Sequence, residues 1–154
     1  MVRIRQLFSF QGRARRGVYW LSTVPLALIM LVAVGLTMAE DERVPVAVIV
    51  FAVAVIAVTL LGIIAVSVRR LHDRNKSGWW MLLYWLAPTL LAPGVEGEAA
   101  LISLPIPGAN TVFALLSVGL SVWSFVDLAC LKGSPRGNRF GPDPLGRETV
   151  EVFS

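Results

Sequence analysis

Apolar and polar positions along this chain fall into long blocks instead of alternating every second or third residue. Residues 18–39 and 46–68 hold no charged side chain, and residues 109–131 hold one, Asp127. About 20 apolar residues, rising 1.5 Å each, cross a hydrocarbon core of about 30 Å. Each block is therefore predicted to be a membrane-spanning helix. The run Val46-Ala47-Val48-Ile49-Val50 is β-branched and has strand propensity. Its length decides against a strand, because in lipid a helix satisfies its own backbone hydrogen bonds and a lone strand does not. A fourth block, 79–93, opens on Trp79-Trp80 and contains Tyr84, Trp85 and Pro88. It is at the short limit for a span, and Pro88, which lacks a backbone donor, is predicted to kink it.

The segments between blocks are polar. Residues 40–43 form a short acidic connection and 69–78 are dense in charge. Residues 94–108 mix Glu96 and Glu98 with Leu101-Ile102-Ser103-Leu104-Pro105-Ile106-Pro107, which predicts a loop dipping toward the membrane. In the opening stretch, 1–17, Ile4, Leu7 and Phe8 stand at i, i+3, i+4, the spacing of a short interfacial helix, which Gly12 ends. Tyr19 and Trp20 start the first span, where amphipathic rings favour the headgroup level. Thr37-Met38-Ala39 resembles a signal-peptide cleavage site, but the apolar run exceeds a 7–15 residue h-region, so an uncleaved span is expected. Residues 132–154 are a Gly/Pro-rich tail with too few apolar side chains for a core. The pattern as a whole predicts an all-α polytopic membrane protein of four transmembrane helices, with a short N-terminal interfacial helix.

Composition supports that class. The chain is 56% apolar and 16% charged with a mean hydropathy of +0.71, whereas soluble domains are about 45–50% apolar and about 25% charged. A net charge of +4 raises the question of nucleic acid, but no reader module fits between the spans. Lys and Arg near span ends facing anionic headgroups account for the charge. One cysteine, Cys130, excludes an intramolecular disulfide, and one histidine, His72, excludes motifs that need two. No cofactor is implied.

Charge also orients the chain. Arg3, Arg5, Arg13, Arg15 and Arg16 precede the first span. Arg69, Arg70, Arg74 and Lys76 lie in the middle loop, and Lys132, Arg136, Arg139 and Arg147 in the tail. A four-span chain puts these thirteen of the fourteen basic residues on one side, leaving only Arg43 on the other. The positive-inside rule makes the basic side cytoplasmic, with both termini there. A three-span chain would place the basic tail outside, against the charge distribution.

Three blocks resemble a known family. Phe8-Ser9-Phe10-Gln11-Gly12-Arg13 with Arg15, Arg16, Tyr19 and Trp20 is similar to the opening signature of the bacterial DUF805 inner-membrane proteins. Arg70-Leu71-His72-Asp73 followed by Ser77-Gly78-Trp79-Trp80 resembles the family's middle signature, and Gly137-Asn138-Arg139-Phe140-Gly141-Pro142-Asp143-Pro144 its C-terminal one. The stretch between the Trp pair and the tail motif is longer here than in compact members, so crossings there do not carry over directly. The resemblance implies a bacterial inner-membrane location and a shared fold, and no activity.

All three blocks lie on the side predicted to be cytoplasmic. Arg13, Arg15 and Arg16 have the chemistry to bind a phosphate bidentately, and equally to act as orientation determinants beside anionic lipid. His72 and Asp73 stand as an acid–base pair, or His72 as a metal ligand, or, as favoured, both as part of a turn in which Asp73 or Asn75 organises the loop and Ser77 starts the next helix. Neighbours on a helix point about 100° apart, which disfavours the pair. Asp127 lies one turn before Lys132, and an intramembrane acid needs a partner. Arg69 or Arg70 at matching depth is expected to supply it in an interhelical ion pair, with a proton or ion relay as the other reading. Asn138, Arg139 and Asp143 sit among turn-forming residues, and the tail is expected to fold back onto the loop, Asp143 pairing with an arginine of Arg70–Arg74.

These residues carry no nucleophile–base set, metal-ligand spacing or phosphate loop. The favoured reading is a non-enzymatic scaffold or interaction protein whose basic face engages anionic lipid headgroups, a protein partner or a second copy of itself. A small oligomeric transporter or channel subunit is the alternative, with Ser22, Thr23, Thr59, Ser67, Ser117, Ser121 and Asp127 available to line a path, although Ser and Thr also join helices. A lipid-modifying enzyme using His72 and Asp73 is the third and least favoured.

Overall fold

The computed structural model describes residues 7–38, 44–92 and 109–146. All its regular elements among these residues are helical. The first, α1, runs Arg16–Thr37, and the second, α2, runs Val46–Asp73. They pack along each other through small side chains: Ser22 and Ala33 of α1 are buried, as are Ala52, Thr59, Gly62 and Ala65 of α2. Small residues let helix backbones approach closely where no hydrophobic driving force operates. At Gly62 a Cβ would stand 3.0 Å from Leu26 Cδ1 and 3.6 Å from Phe8 Cε1, so a larger residue would fit only if the Leu26 side chain gave way. Pro25 sits inside α1 without ending it.

α2 is longer than its apolar block. It continues through Arg69, Arg70, Leu71, His72 and Asp73, residues expected in a loop. Twenty-eight residues rise about 42 Å, more than a core of about 30 Å requires, so the last turns carry charge beyond the apolar stretch. The helix stops where Asn75 adopts φ 58°, in the left-handed region, and Lys76 N–H returns to the Leu71 carbonyl at 2.9 Å. That is the geometry of a helix C-terminus closed by a left-handed residue.

The third block is shorter than predicted. Helical structure runs from Trp80 to Leu91, as a π-helical turn Leu82–Leu86 followed by α3, Ala87–Leu91, and rises about 18 Å. The expected bend at Pro88 takes the form of this widened turn, with Ala87 N–H bonding the Leu82 carbonyl five residues back. A wide turn immediately before a proline accommodates the ring and the missing donor. The fourth helix, α4, runs Ala109–Phe125 and ends in a second π-helical turn, Val126–Cys130. Among the described residues, three helices are long and apolar enough to cross a membrane: α1, α2, and α4 with its π turn. Ile4 of the predicted interfacial helix and the whole of the predicted 94–108 loop lie outside the described residues.

α1 and α2 form one pair, and α3 with its π turn packs on α4, where Ser117 Oγ donates to the Pro88 carbonyl at 2.8 Å. The pairs meet at one end, around Leu71, Met81, Tyr84 and Leu128, with Tyr19 and Val68 against them. Away from that cluster, large apolar side chains face outward: Leu31 is 67% exposed, Phe51 70% and Leu115 68%. Apolar surface of this extent is not sustained in water; lipid is the solvent it fits.

Candidate functional site

The end where the pairs meet is also the basic end, and three distant segments build it. Asp73, at the last turn of α2, is the hub. Arg13 Nε donates to its Oδ1 at 3.0 Å, and Arg70 Nη1 to its Oδ2 at 2.6 Å. All three side chains are almost fully buried. Two arginines on one carboxylate leave a surplus positive charge, which carbonyl oxygens offset. Arg13 also donates to the carbonyls of Arg136 at 2.8 Å, Ser134 at 2.8 Å and Gly141 at 3.3 Å. Arg70 donates from Nε to the Leu128 carbonyl at 2.8 Å, from Nη1 to Ala14, and from Nη2 to the Leu131 carbonyl. Leu128 and Leu131 belong to the end of the fourth helix, whose last carbonyls have no intrahelical partner. Arg70, Trp20 Nε1 (3.1 Å to the Ala129 carbonyl) and Arg74 Nη1 (3.1 Å to the Lys132 carbonyl) supply donors there. Positive charge is also what the helix dipole favours at that end.

The tail closes over this hub. Ser134 N–H bonds the Asp73 carbonyl at 2.8 Å, and Asn138 Nδ2 the His72 carbonyl at 2.9 Å. The His72 ring stacks on Phe140 at 3.9 Å and 5°, and its Nδ1 lies 3.2 Å from the Gly12 carbonyl. Gly12 turns the chain with φ 83°. Arg139 lies over the Phe140 ring and reaches the Asn75 carbonyl. His72 and Asp73 thus point to separate partners. At Gly133 any Cβ would run into the Asp73 carboxylate, so this position admits only glycine.

A second cluster surrounds Asp127 in the π turn. Its carboxylate pairs with Arg74 at 3.0 Å and Lys76 at 2.8 Å, and accepts the Tyr84 hydroxyl at 2.9 Å. Tyr84 in turn accepts from Lys76 at 2.9 Å and from Trp123 Nε1 at 3.1 Å. The expected partners, Arg69 or Arg70, are not used. Arg70 is committed to Asp73, and the Nε and Nη2 atoms of Arg69 are buried without a hydrogen-bond partner. Burial alone would lower the Lys76 pKa, but its hydrogen bonds to Asp127 and Tyr84 outweigh that and hold it above the ordinary lysine value. Lys76 also lies 4.7 Å from the centre of the Trp80 ring. Trp79 is exposed.

Arg13 therefore leaves the set of cations open to an outside anion, because its donors are consumed inside. Arg15 and Arg16 remain exposed at the start of α1. With Lys132 they line a cavity of about 180 Å³, shared with Arg70, Asp73, Gly133 and Asp143. Asp143 is buried and accepts Leu145 N–H at 3.0 Å, closing its own turn; the tail is held to the loop by Ser134 and Asn138. No group of three potential metal ligands occurs among the described residues. Sequence reasoning passed over Gly133, Ser134, Tyr84 and Trp123. Tyr84 and Trp123 had a signal, a polar atom on a ring within an apolar run, which needs a partner when buried.

Long apolar helices facing outward, joined at one end by buried arginine–carboxylate ties, define a small helical membrane protein. The chain belongs to the DUF805 family, described as a protein of unknown function, which matches over residues 7–142. It is 29% identical to the inner membrane protein YhaH of Escherichia coli over 92% of this chain and 91% of that one. It is 30% identical to the inner membrane protein YhaI of Escherichia coli over 54% of this chain and 67% of that one. No solved structure matches the chain.

Proposed function

We propose that this chain crosses the bacterial inner membrane four times, with both termini cytoplasmic. Its basic end there serves as a non-enzymatic platform for anionic lipid headgroups. One observation carries the reading. Four crossings would put thirteen of the fourteen lysines and arginines on one side, and the described signature segments interlock around Arg13, Arg70 and Arg139. The names of the relatives support the location. Arg15, Arg16 and Lys132 support the lipid contact, being exposed at the base of the apolar helices, where each cation near an anionic surface contributes about 1 kcal/mol. The structural use of His72 and Asp73 speaks against an acid–base role.

The test places the protein in nanodiscs of mixed phosphatidylglycerol and phosphatidylcholine and measures the lipid at its perimeter. Phosphatidylglycerol is expected to be enriched. The enrichment should fall as added salt shortens the Debye length from about 10 Å at 0.1 M to about 3 Å at 1 M. A perimeter matching the bulk mixture at low salt refutes the platform.

A further inference from the structure

The cavity beside the Asp127 cluster joins two kinds of wall. It measures about 350 Å³ and is lined by Arg74, Lys76, Trp123, Val126, Asp127 and Leu131. On one side stand the cations. Arg74 pairs with Asp127 through Nη2 and donates from Nη1 to the Lys132 carbonyl, while Lys76 donates to Asp127 and Tyr84. A guanidinium carries five N–H donors and an ammonium three. The remaining donors of both have no acceptor among the described residues. The two side chains are 21% and 22% exposed, so those donors are open to a ligand. Asp127 meanwhile fixes both cations in place.

The other wall is apolar. Trp123, Val126 and Leu131 are all exposed, Trp123 by 60%. Trp123 stands four residues before Asp127, about 6 Å farther toward the apolar stretch of the helix. Its indole N–H is already bound to the Tyr84 hydroxyl, so the ring offers a ligand its apolar face. An occupant that satisfies both walls is charged at one end and apolar at the other. A soluble anion would meet the donors and leave Trp123 and Val126 uncovered; an acyl chain alone would leave the donors unmet. A phospholipid does both. The two free oxygens of its phosphodiester match charge-assisted donors, and its chains continue along the outward face of the fourth helix. About 350 Å³ is the room of roughly twelve waters at about 30 Å³ each, enough for a headgroup with the chains lying outside.

We infer that one phospholipid seats in this recess, its phosphodiester held by Arg74 and Lys76 and its first chain segments against Trp123 and Val126. The inference rests on the platform reading for the membrane level of the basic end. It deepens that reading by adding a discrete site that recognises the phosphate and not the net charge of the lipid.

The test exchanges the full-length protein in mild detergent into phosphatidylglycerol, phosphatidylcholine or a galactosyl diacylglycerol. After a wash at about 1 M salt, where the Debye length is about 3 Å, the lipid retained per chain is measured. One equivalent of either phospholipid is expected, and at least tenfold less of the galactolipid, which lacks the phosphate. Val126→Trp fills the recess from its apolar wall without touching the ties of Asp127. It should cut retention at least tenfold with the thermal midpoint unchanged, and Leu131→Trp should do the same. Leu115→Trp, exposed on the same helix but outside the recess, should keep the lipid. Equal retention of the galactolipid, undiminished retention in both filled variants, or equal loss in Leu115→Trp overturns the site. Retention confined to phosphatidylglycerol assigns the contact to net charge and likewise overturns it. No retained lipid, with phosphatidylglycerol still enriched at the perimeter, removes the site and leaves the platform. One retained equivalent without that enrichment keeps the site and refutes the platform.

Discussion

Asp73 shows how much one side chain can hold. It accepts from Arg13, which precedes α1, and from Arg70, three residues before it, while its own backbone carbonyl accepts from Ser134 of the tail. Removing one member of a buried ion pair leaves an uncompensated charge, at a cost of about 3–5 kcal/mol. Asp73→Asn is therefore expected to lower the thermal midpoint in detergent markedly, and a midpoint within error of wild type would contradict the hub. Gly133→Ala should do comparable damage without altering any charge, because its methyl group lands on the same carboxylate. Lys76 sets a pH limit. Its pKa lies above the ordinary 10.5 in the folded protein, so its pairing with Asp127 stabilises the fold fully below that value and is lost as pH climbs through the raised pKa. Unfolding midpoints followed into that alkaline range should decline, and Lys76→Met should flatten the decline. A slope unchanged in the variant would show that Lys76 is not its source.

At the scale of elements, legibility tracked the physics of each segment. The spans of α1 and α2 could be read directly, because a charge-free run longer than about 20 residues has one solution in lipid. The end of α2 could not. Arg69 to Asp73 read as a loop by charge, yet arginine and leucine are good helix formers and nothing stops the helix before Asn75. The third block is short and its helix widens just before Pro88, and hydropathy does not distinguish a kink from a widened turn. The need of Asp127 for a partner was legible, and the partner was not. Burial of Arg70 against the end of the fourth helix removes it from reach, a fact of tertiary packing. The π turn bears a prediction of its own. With three donors on its carboxylate, Asp127 acts as an interhelical tie. Asp127→Asn should weaken the fold and leave liposome ion flux equal to that of wild type, whereas flux lost in the variant alone would restore the relay reading.

Over the whole molecule, the two helix pairs are joined at the basic end through the Leu71–Tyr84–Leu128 cluster and through side chains reaching backbone carbonyls. The signature residues that looked scattered along the sequence are mutual partners: Gly12 with His72, Arg13 with Asp73, and His72 with Asn138 and Phe140. Charge and turn chemistry put them on one side; only the fold shows who meets whom. A cysteine pair at Asn75→Cys and Arg139→Cys, in a Cys130→Ser background, should be bridged by a bifunctional thiol reagent as long as an arginine side chain, because Arg139 reaches the Asn75 carbonyl. No cross-link there or at neighbouring pairs would mean that the tail does not fold back.

The reach of Arg13 has a consequence for how the chain is made. Its acceptors in the tail lie 121 to 128 residues later, so during synthesis they emerge only after every apolar segment has left the ribosome. Until then Arg13 and the hub around Asp73 are incomplete, and the last helix lacks the donors that Arg70 brings to its final carbonyls. The first pair can form early, but the basic end locks in a single late step. A truncated or wrongly inserted copy would keep that end open, with Arg13 and the final carbonyls of the last helix short of their partners.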